Sequence, residues 1–294
     1  MNTEKQIVKV TSLRNFDDIG FEADYFQSSI KGNYGIIILG GSEGGKPTHL
    51  ANKIASLGYS VLSLAYFNEG EKINKELEMI PLEYFDAAKN WFLKRDEIKQ
   101  DGLLIVGWSK GAELALVLAS LDNSYKGVIG IAPSSVVWPG IIRDWSRPPL
   151  SSWSKDGKPL PATPYKTQSK PMQRITDLYK ESLIDMTPPI NHTIDYSKIK
   201  VPTLLFSGSL DIIWPADIMA EAICKEINEI NKKKSLCTHF NYKNAGHLLD
   251  EKYNLGGTRE NNNKANKDSL DKIKQFLNCI NQNYLEIQKQ KLTS

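Results

Sequence analysis

The sequence predicts an α/β fold, a mostly parallel sheet with helices on both faces and one long inserted segment. Three observations lead there. Apolar runs of strand length alternate with helix-length stretches, the pattern of parallel strands joined by right-handed crossovers. Several of those runs are apolar at consecutive positions, as strands buried on both faces are. The alternation stops at Pro133 and resumes only at Val201, a gap too long for a plain connection and of the kind that functional lids occupy.

The elements can be taken in order. Residues 7–13 and 21–28 read as two strands. Residues 34–39 (YGIIIL) are a strand with almost no polar side chain, and a Gly-rich turn follows. A helix is predicted over 47–57, with Pro47 near its first turn, where a missing N–H is harmless. Gly58 ends it, and residues 59–65 (YSVLSLA) form the next strand. Over 82–94 the residues Leu82, Phe85, Ala88 and Phe92 fall at helical spacing. A strand at 103–108, a helix at 112–121 and a strand at 127–132 follow. The segment from 133 to 200 is rich in proline and holds Trp138, Trp145, Trp153 and Tyr165. Linkers are poor in aromatics, so a packed lid is expected there. Beyond it come a strand at 201–206, a helix at 216–231, a strand at 237–242 and a last helix from near Lys267. The Asn-rich residues 260–266 read as a polar loop before that helix. The expectation is a single domain over 1–294, with the lid at about 134–199.

Composition excludes several classes. With 37 Lys+Arg against 34 Asp+Glu, the formal charge is +3, too small to point to nucleic acid or a membrane surface as partner. The hydrophobic share of 40% and charged share of 24% are those of an ordinary globular protein. The first ten residues have no apolar core of signal-peptide length. The longest apolar runs are strand-sized and cannot span a bilayer. Cys224, Cys237 and Cys279 are odd in number and lack metal-like spacing. That argues against a disulfide framework and for a reducing compartment, so a cytoplasmic protein is expected. No metal site is expected, because the four His and three Cys form no chelating pair. No cofactor is expected either: GGSEGGKPT has neither Walker spacing nor a G-x-G-x-x-G pattern.

The chemistry is carried by Gly107-Trp108-Ser109-Lys110-Gly111, a match to G-x-S-x-G. Alone the motif is weak, since its three fixed positions recur by chance in roughly one chain of this size in ten. Its setting gives it weight: it closes an apolar strand and opens a helix, as a nucleophile elbow does. A serine at so sharp a turn is strained, so the residues two before and two after it must be small. The helix N-terminus then turns backbone N–H groups toward an oxyanion. Asp211 follows the strand at 201–206 and His247 the strand at 237–242, each at its strand's carboxyl end, where open parallel sheets bind ligands. Ser109…Asp211…His247 is the chain order of the α/β-hydrolase fold. The serine hydroxyl needs an imidazole as base, and the carboxylate fixes the tautomer of that imidazole.

Alternatives exist for each partner. A lone loop Asp is usually a helix cap or an Asx-turn residue. Asp217 is a rival acid but falls inside the predicted helix. Among His49, His192, His239 and His247, only His247 sits behind a glycine just after a terminal strand, whereas His239 lies within a strand and reads as structural. The loop LGGSEGG at 39–45 lets the backbone approach a ligand. In this fold that loop donates the second oxyanion N–H beside the residue after the nucleophile. Lys110 is therefore expected to donate one, and Ser42 or Glu43 the other.

Seven segments together carry a resemblance. They are LGGSEGG at 39–45, SLGYSVLSLAYF at 56–67, ELEMIPLEYFDAAKNWF at 76–92, VGWSKGAELAL at 106–116, SGSLDIIWPA at 207–216, AGHLLD at 245–250, and GGT with DSLDKIKQFL within 256–277. The chain resembles the acyl-CoA thioester hydrolase and bile acid-CoA:amino acid N-acyltransferase family, specifically its C-terminal α/β-hydrolase domain. The resemblance implies Ser109 as nucleophile, Asp211 as acid and His247 as base. It also implies hydrolysis rather than amide formation, because the family's transferases use cysteine at this position and its thioesterases serine. Full-length members carry an immunoglobulin-like β-sandwich ahead of this domain; the residues before Tyr34 are expected to form two strands and no sandwich.

The activity expected is cleavage of a small-molecule acyl thioester, acyl-CoA-like, through a Ser109 acyl-enzyme. A carboxylesterase of dienelactone hydrolase type is the alternative. A hydrolase-fold binding protein without catalysis is a third reading, against which the intact residue order speaks. The lid aromatics are expected to line an acyl pocket. Lys110, Lys46, Arg143, Arg147 and Lys155 are the cations expected to meet CoA phosphates, with Lys110 foremost.

Overall fold

The N-terminal residues pair as an antiparallel ribbon, β1 (Lys9–Leu13) with β2 (Glu22–Gln27), joined through the short helix α1 (Phe16–Ile19). The computed structural model describes residues 9–144, 146–166, 174–184, 194–232 and 235–292. The chain continues through β3 (Asn33–Leu39), α2 (Thr48–Ala55), β4 (Val61–Ala65), β5 (Ile80–Pro81), α3 (Tyr84–Phe92), β6 (Ile98–Trp108), α4 (Lys110–Leu121) and β7 (Tyr125–Ile131). After it come β8 (Trp153–Lys155), β9 (Lys158–Pro159), α5 (Ile175–Ile184) and a 3₁₀ turn at Tyr196–Lys198. The last elements are β10 (Thr203–Gly208), α6 (Ala216–Ile230), β11 (Cys237–Tyr242) and α7 (Arg259–Leu292).

The main sheet has the order β1-β2-β4-β3-β6-β7-β10-β11. From β4 to β11 every neighbouring pair is parallel, and β2 runs antiparallel to both β1 and β4. Alternation within β3 feeds the two cores. Ile37 and Leu39 pack with α3, α4 and α6 on one face, while Ile36 and Ile38 pack with α2 and α7 on the other. Both sets are essentially inaccessible, which is why the four residues from Ile36 to Leu39 are all apolar. The structure is thus the mostly parallel, doubly covered sheet that the sequence predicts.

The segment between β7 and β10 docks back on the body through its two arms. Its β8 joins β5 and β9 in a small three-stranded sheet. Met79 N–H, Ile80 N–H and Leu82 N–H donate to the carbonyls of Ser151, Ser152 and Ser154, and Arg147 makes a bidentate contact with Glu78 at 2.8 and 2.7 Å. A third apolar cluster, with Trp138, Tyr179, Trp214 and Met219 at its centre, fills the space between this insert and α6. Trp145 and His192 lie outside the described residues.

Two sequence expectations are corrected. Cys224 on α6 and Cys237 at the start of β11 are joined as a disulfide, their Cα atoms 4.9 Å apart. Helix α6 returns directly onto the strand that follows it, so two cysteines that look unrelated in sequence meet in the core; the third, Cys279, sits on α7. Residues 260–266 are no loop but the opening turns of α7. Asn262 is buried there, its side chain accepting from Gly246 N–H at 2.7 Å and donating to the Gly256 carbonyl at 3.0 Å. Those anchors, with Ala265, Ile273 and Leu277 packed on the sheet, outweigh the weak helix propensity of asparagine. No helix among the described residues is long and apolar enough to cross a membrane.

Candidate active site

Ser109 sits between β6 and α4 with φ 54° and ψ −124°. Non-glycine residues rarely adopt that region, and such strain collects at functional sites. The flanking glycines are dictated by contact. A Cβ on Gly107 would lie 2.1 Å from the Gly111 carbonyl oxygen, and one on Gly111 would lie 2.2 Å from that of Gly40. The elbow therefore closes only with hydrogen at both positions.

The loops after β10 and β11 are laced together beside it. Leu210 N–H donates to the Ala245 carbonyl at 2.9 Å and Asn244 N–H to Ser209 Oγ at 2.9 Å. His247 N–H donates to the Leu255 carbonyl at 2.9 Å. Asp250 ties the same loop to α2 and α7: it accepts from Lys53, from His49 Nε2 at 2.9 Å, from Asn266 Nδ2 of α7 at 3.4 Å and from Lys252 N–H at 2.9 Å. Burial raises the Asp250 carboxyl, but these bonds together outweigh it and leave the group below its ordinary range.

This scaffold brings Ser109, His247 and Asp211 together. Ser109 Oγ lies 2.8 Å from His247 Nε2, and His247 Nδ1 lies 2.6 Å from Asp211 Oδ2. In the neutral tautomer that fits these distances, Nδ1–H donates to the carboxylate and Nε2 accepts from the serine hydroxyl. Asp211 uses its other oxygen as an Asx turn, accepting from Ile213 N–H at 2.8 Å and Trp214 N–H at 3.1 Å. The same side chain thus both contacts His247 and closes an Asx turn. Serine and histidine are 6% and 2% exposed, so the hydrogen-bonded chain is largely shielded from water. The Trp214 ring meets the His247 ring edge-on at 5.5 Å and donates Nε1–H to the Ala132 carbonyl at 3.2 Å. His239 is held away from this group, its Nε2 2.8 Å from Ser207 Oγ between β10 and β11. Asp217 lies in the first turn of α6, where its side chain accepts from Ile218 N–H.

The loop at 39–45 lies against the serine: a Cβ on Gly41 would be 3.0 Å from Ser109 Cβ. Tyr66 holds it from below, donating its hydroxyl to the Gly40 carbonyl at 2.6 Å. The Glu43 side chain folds back, accepting from Gly41 N–H at 3.0 Å and from Trp108 Nε1 at 2.6 Å. Gly41 N–H is thereby engaged, while Ser42 and Glu43 themselves stay exposed. Lys110 is the first residue of α4, so its N–H has no intrahelical acceptor. The sequence reading considered Glu43 only for its backbone; nothing in the sequence signals that its carboxylate braces the elbow.

The Lys110 side chain corrects a third expectation. It does not face an entrance; it is 2% exposed and donates to Glu113 Oε1 at 2.6 Å. Burial pulls the lysine down and pushes the glutamic acid up, while each partner's charge opposes the shift of the other. Among the other expected cations, Lys46 is paired with Asp24 at 2.8 Å and Arg147 with Glu78, leaving Arg143 and Lys155 as exposed positions on the insert. Trp153 is also fully buried, donating Nε1–H to Glu113 Oε1 at 2.8 Å. Trp138 stacks on Tyr165 at 5.8 Å and meets Tyr179 edge-on at 4.8 Å, and Tyr179 meets Trp214 at 5.6 Å. An aromatic chain thus runs from the insert to the histidine.

Comparison with known proteins agrees with this architecture. The sequence profile of the family described as BAAT / acyl-CoA thioester hydrolase C terminal matches residues 80–254. Human acyl-coenzyme A thioesterase 1 is 28% identical over 226 residues, covering 74% of this chain and 49% of that protein. Human mitochondrial acyl-coenzyme A thioesterase 2 is 29% identical over 226 residues, covering 74% and 43%. The chain therefore spans about half the length of the curated relatives it matches. Among solved structures, an esterase of Pyrobaculum calidifontis superposes with a TM-score of 0.57 at 12% identity, covering 94% of this chain and 85% of that one. A dienelactone hydrolase-like promiscuous phosphotriesterase from metagenomic libraries gives 0.55 at 10% identity, covering 93% and 99%. At such identities the likeness shows the fold alone.

Proposed function

Because this chain belongs to the BAAT / acyl-CoA thioester hydrolase C-terminal family, we propose that it is a serine hydrolase that cleaves an acyl thioester. The observation that carries the reading is the hydrogen-bonded chain Ser109–His247–Asp211 at a strained elbow. In the reaction, His247 Nε2 removes the hydroxyl proton as Ser109 Oγ attacks the acyl carbonyl. Asp211 holds the opposite ring nitrogen and stabilises the imidazolium. The carbonyl oxygen, now negative, takes hydrogen bonds from Lys110 N–H and from Ser42 or Glu43 N–H. Collapse of the adduct expels the thiolate, which leaves with the proton from His247. Water, deprotonated by the same imidazole, then attacks the Ser109 ester; as the C–Oγ bond breaks, His247 returns that proton to Ser109 Oγ and the carboxylic acid leaves. Removing one oxyanion donor from such a site costs about 10²–10³ in kcat.

One observation favours an oxyester substrate as the second reading. A CoA leaving group carries phosphates, and three of the five cations expected to meet them are already engaged with carboxylates. The test is a matched panel of acyl-CoAs and p-nitrophenyl esters of graded chain length, each at two ionic strengths. For a CoA enzyme that uses Arg143 and Lys155, KM for acyl-CoA rises with salt, since exposed charge pairs are screened, while KM for the neutral ester does not. Turnover of esters alone, with no acyl-CoA cleavage, would replace the thioester reading with the oxyester one.

A further inference from the structure

Helix α4 carries a buried ion pair one turn from the nucleophile. Lys110 and Glu113 are 2% and 0% exposed. A single oxygen, Glu113 Oε1, accepts from Lys110 Nζ at 2.6 Å, from Trp153 Nε1 at 2.8 Å and from Trp138 N–H at 3.3 Å. Lys110 Nζ also reaches the Trp138 carbonyl at 3.5 Å and stands 5.3 Å from the centre of the Trp153 ring. That same carbonyl accepts from Ser152 Oγ at 3.1 Å. The outgoing arm of the insert at Trp138, the returning arm at Ser152 and Trp153, and the residue after the nucleophile therefore meet at one carboxylate.

Stability does not account for such a group. Desolvating two charges costs as much as their attraction returns, and neutral packing of the same volume often does as well or better. What the pair supplies is geometry. Lys110 is the residue whose backbone N–H points to the oxyanion in the mechanism above, and its side chain is clamped at the far end. We infer that Glu113 is a positioning residue: through Lys110 it fixes the Ser109–Lys110 peptide, and through Trp138 and Trp153 it holds the insert over that donor. The inference rests on the reading of Ser109 as nucleophile.

The test compares E113Q, the double variant K110M/E113Q and W153F, with kcat taken per active site titrated by a fluorophosphonate, and S109A, with turnover taken per mole of protein. E113Q leaves a buried lysine without its counter-charge and is expected to lower both thermal stability and kcat. The double variant removes both charges, so its unfolding temperature returns toward wild type. Its kcat on a p-nitrophenyl ester stays down by about tenfold or more, a fraction of the loss that follows removal of a whole oxyanion donor, with KM changed much less. If the double variant fails to fold, W153F decides: it keeps an aromatic ring at this position and the ion pair, loses the indole N–H donor to Glu113, and is expected to lose kcat several-fold at unchanged KM. Wild-type kcat per titrated site in a folded double variant, or in W153F where the double variant does not fold, overturns the inference. Turnover that survives in S109A would overturn the nucleophile reading instead, and the inference with it.

Discussion

Ser109 holds its φ of 54° because the strand before it and the helix after it leave no other route. The glycines on either side are what make that route passable. A methyl group on Gly111 would meet the carbonyl oxygens of Gly40 at 2.2 Å and Leu39 at 2.4 Å, both backbone atoms that cannot step aside. Gly111→Ala is therefore expected to push the loop at 39–45 off the elbow, costing about 1–3 kcal/mol of stability as overpacking does and most of the activity. Urea unfolding and esterase assays on the same preparation check this; a variant equal to wild type in both would show that the close contact is relieved elsewhere. At this scale the sequence was informative wherever sterics or chain order spoke. The small residues around Ser109 and the positions of Asp211 and His247 follow from such rules. For Lys110 only the side chain departs from expectation, because a lysine is ordinarily exposed, and nothing local reveals that Trp138 and Trp153, far along the chain, close over it.

Among the elements, the insert between β7 and β10 is the one whose function the fold alone leaves open. Its aromatics divide into two groups. Trp153 is a structural anchor, bonded to Glu113 and packed on Tyr66 at 5.8 Å. Trp138, Tyr165 and Tyr179 form the chain that ends on Trp214 and His247. If acyl chains lie along that second group, Tyr179→Ala opens space beside Trp214, the ring that packs on the histidine, and shifts the preferred acyl length upward, read as the ratio of kcat/KM across graded p-nitrophenyl esters. A change in unfolding temperature with the length profile unmoved would assign Tyr179 to packing within the insert. The existence of an aromatic, proline-rich interruption was legible in the sequence, but which ring faces which was not, because that depends on how the two arms dock against the segment at 77–82. The Asn-rich opening of α7 misled for a related reason: local propensity points to a loop, and the anchoring of Asn262 on the neighbouring glycines is tertiary.

Across the whole molecule, strand and helix alternation dictated the sheet, and the carboxyl ends of β6, β10 and β11 bring the three chemical groups to one edge. The opposite edge has its own signature. Lys99, near the start of β6, is buried beside Tyr34 and Asn281, and burial, opposed by Asp101, pulls its amine down to about 8. An unfolded lysine titrates near 10.4. Between those values the unfolded chain binds more protons than the folded one, so stability rises as pH increases from about 8 toward about 10. Lys99→Met is expected to flatten that rise in urea-unfolding midpoints; an unaltered slope would trace it to other groups. The central claim, that Ser109 carries the acyl group, has a more direct test. The protein is mixed with an acyl-CoA and with a p-nitrophenyl ester of the same acyl group, quenched in acid within milliseconds, and its intact and peptide masses are measured. The account predicts a mass gain of one acyl group on the peptide containing Ser109, lost in Ser109→Ala. Turnover at full rate with no acyl adduct in any quench, or an adduct on another residue that persists in Ser109→Ala, would contradict it.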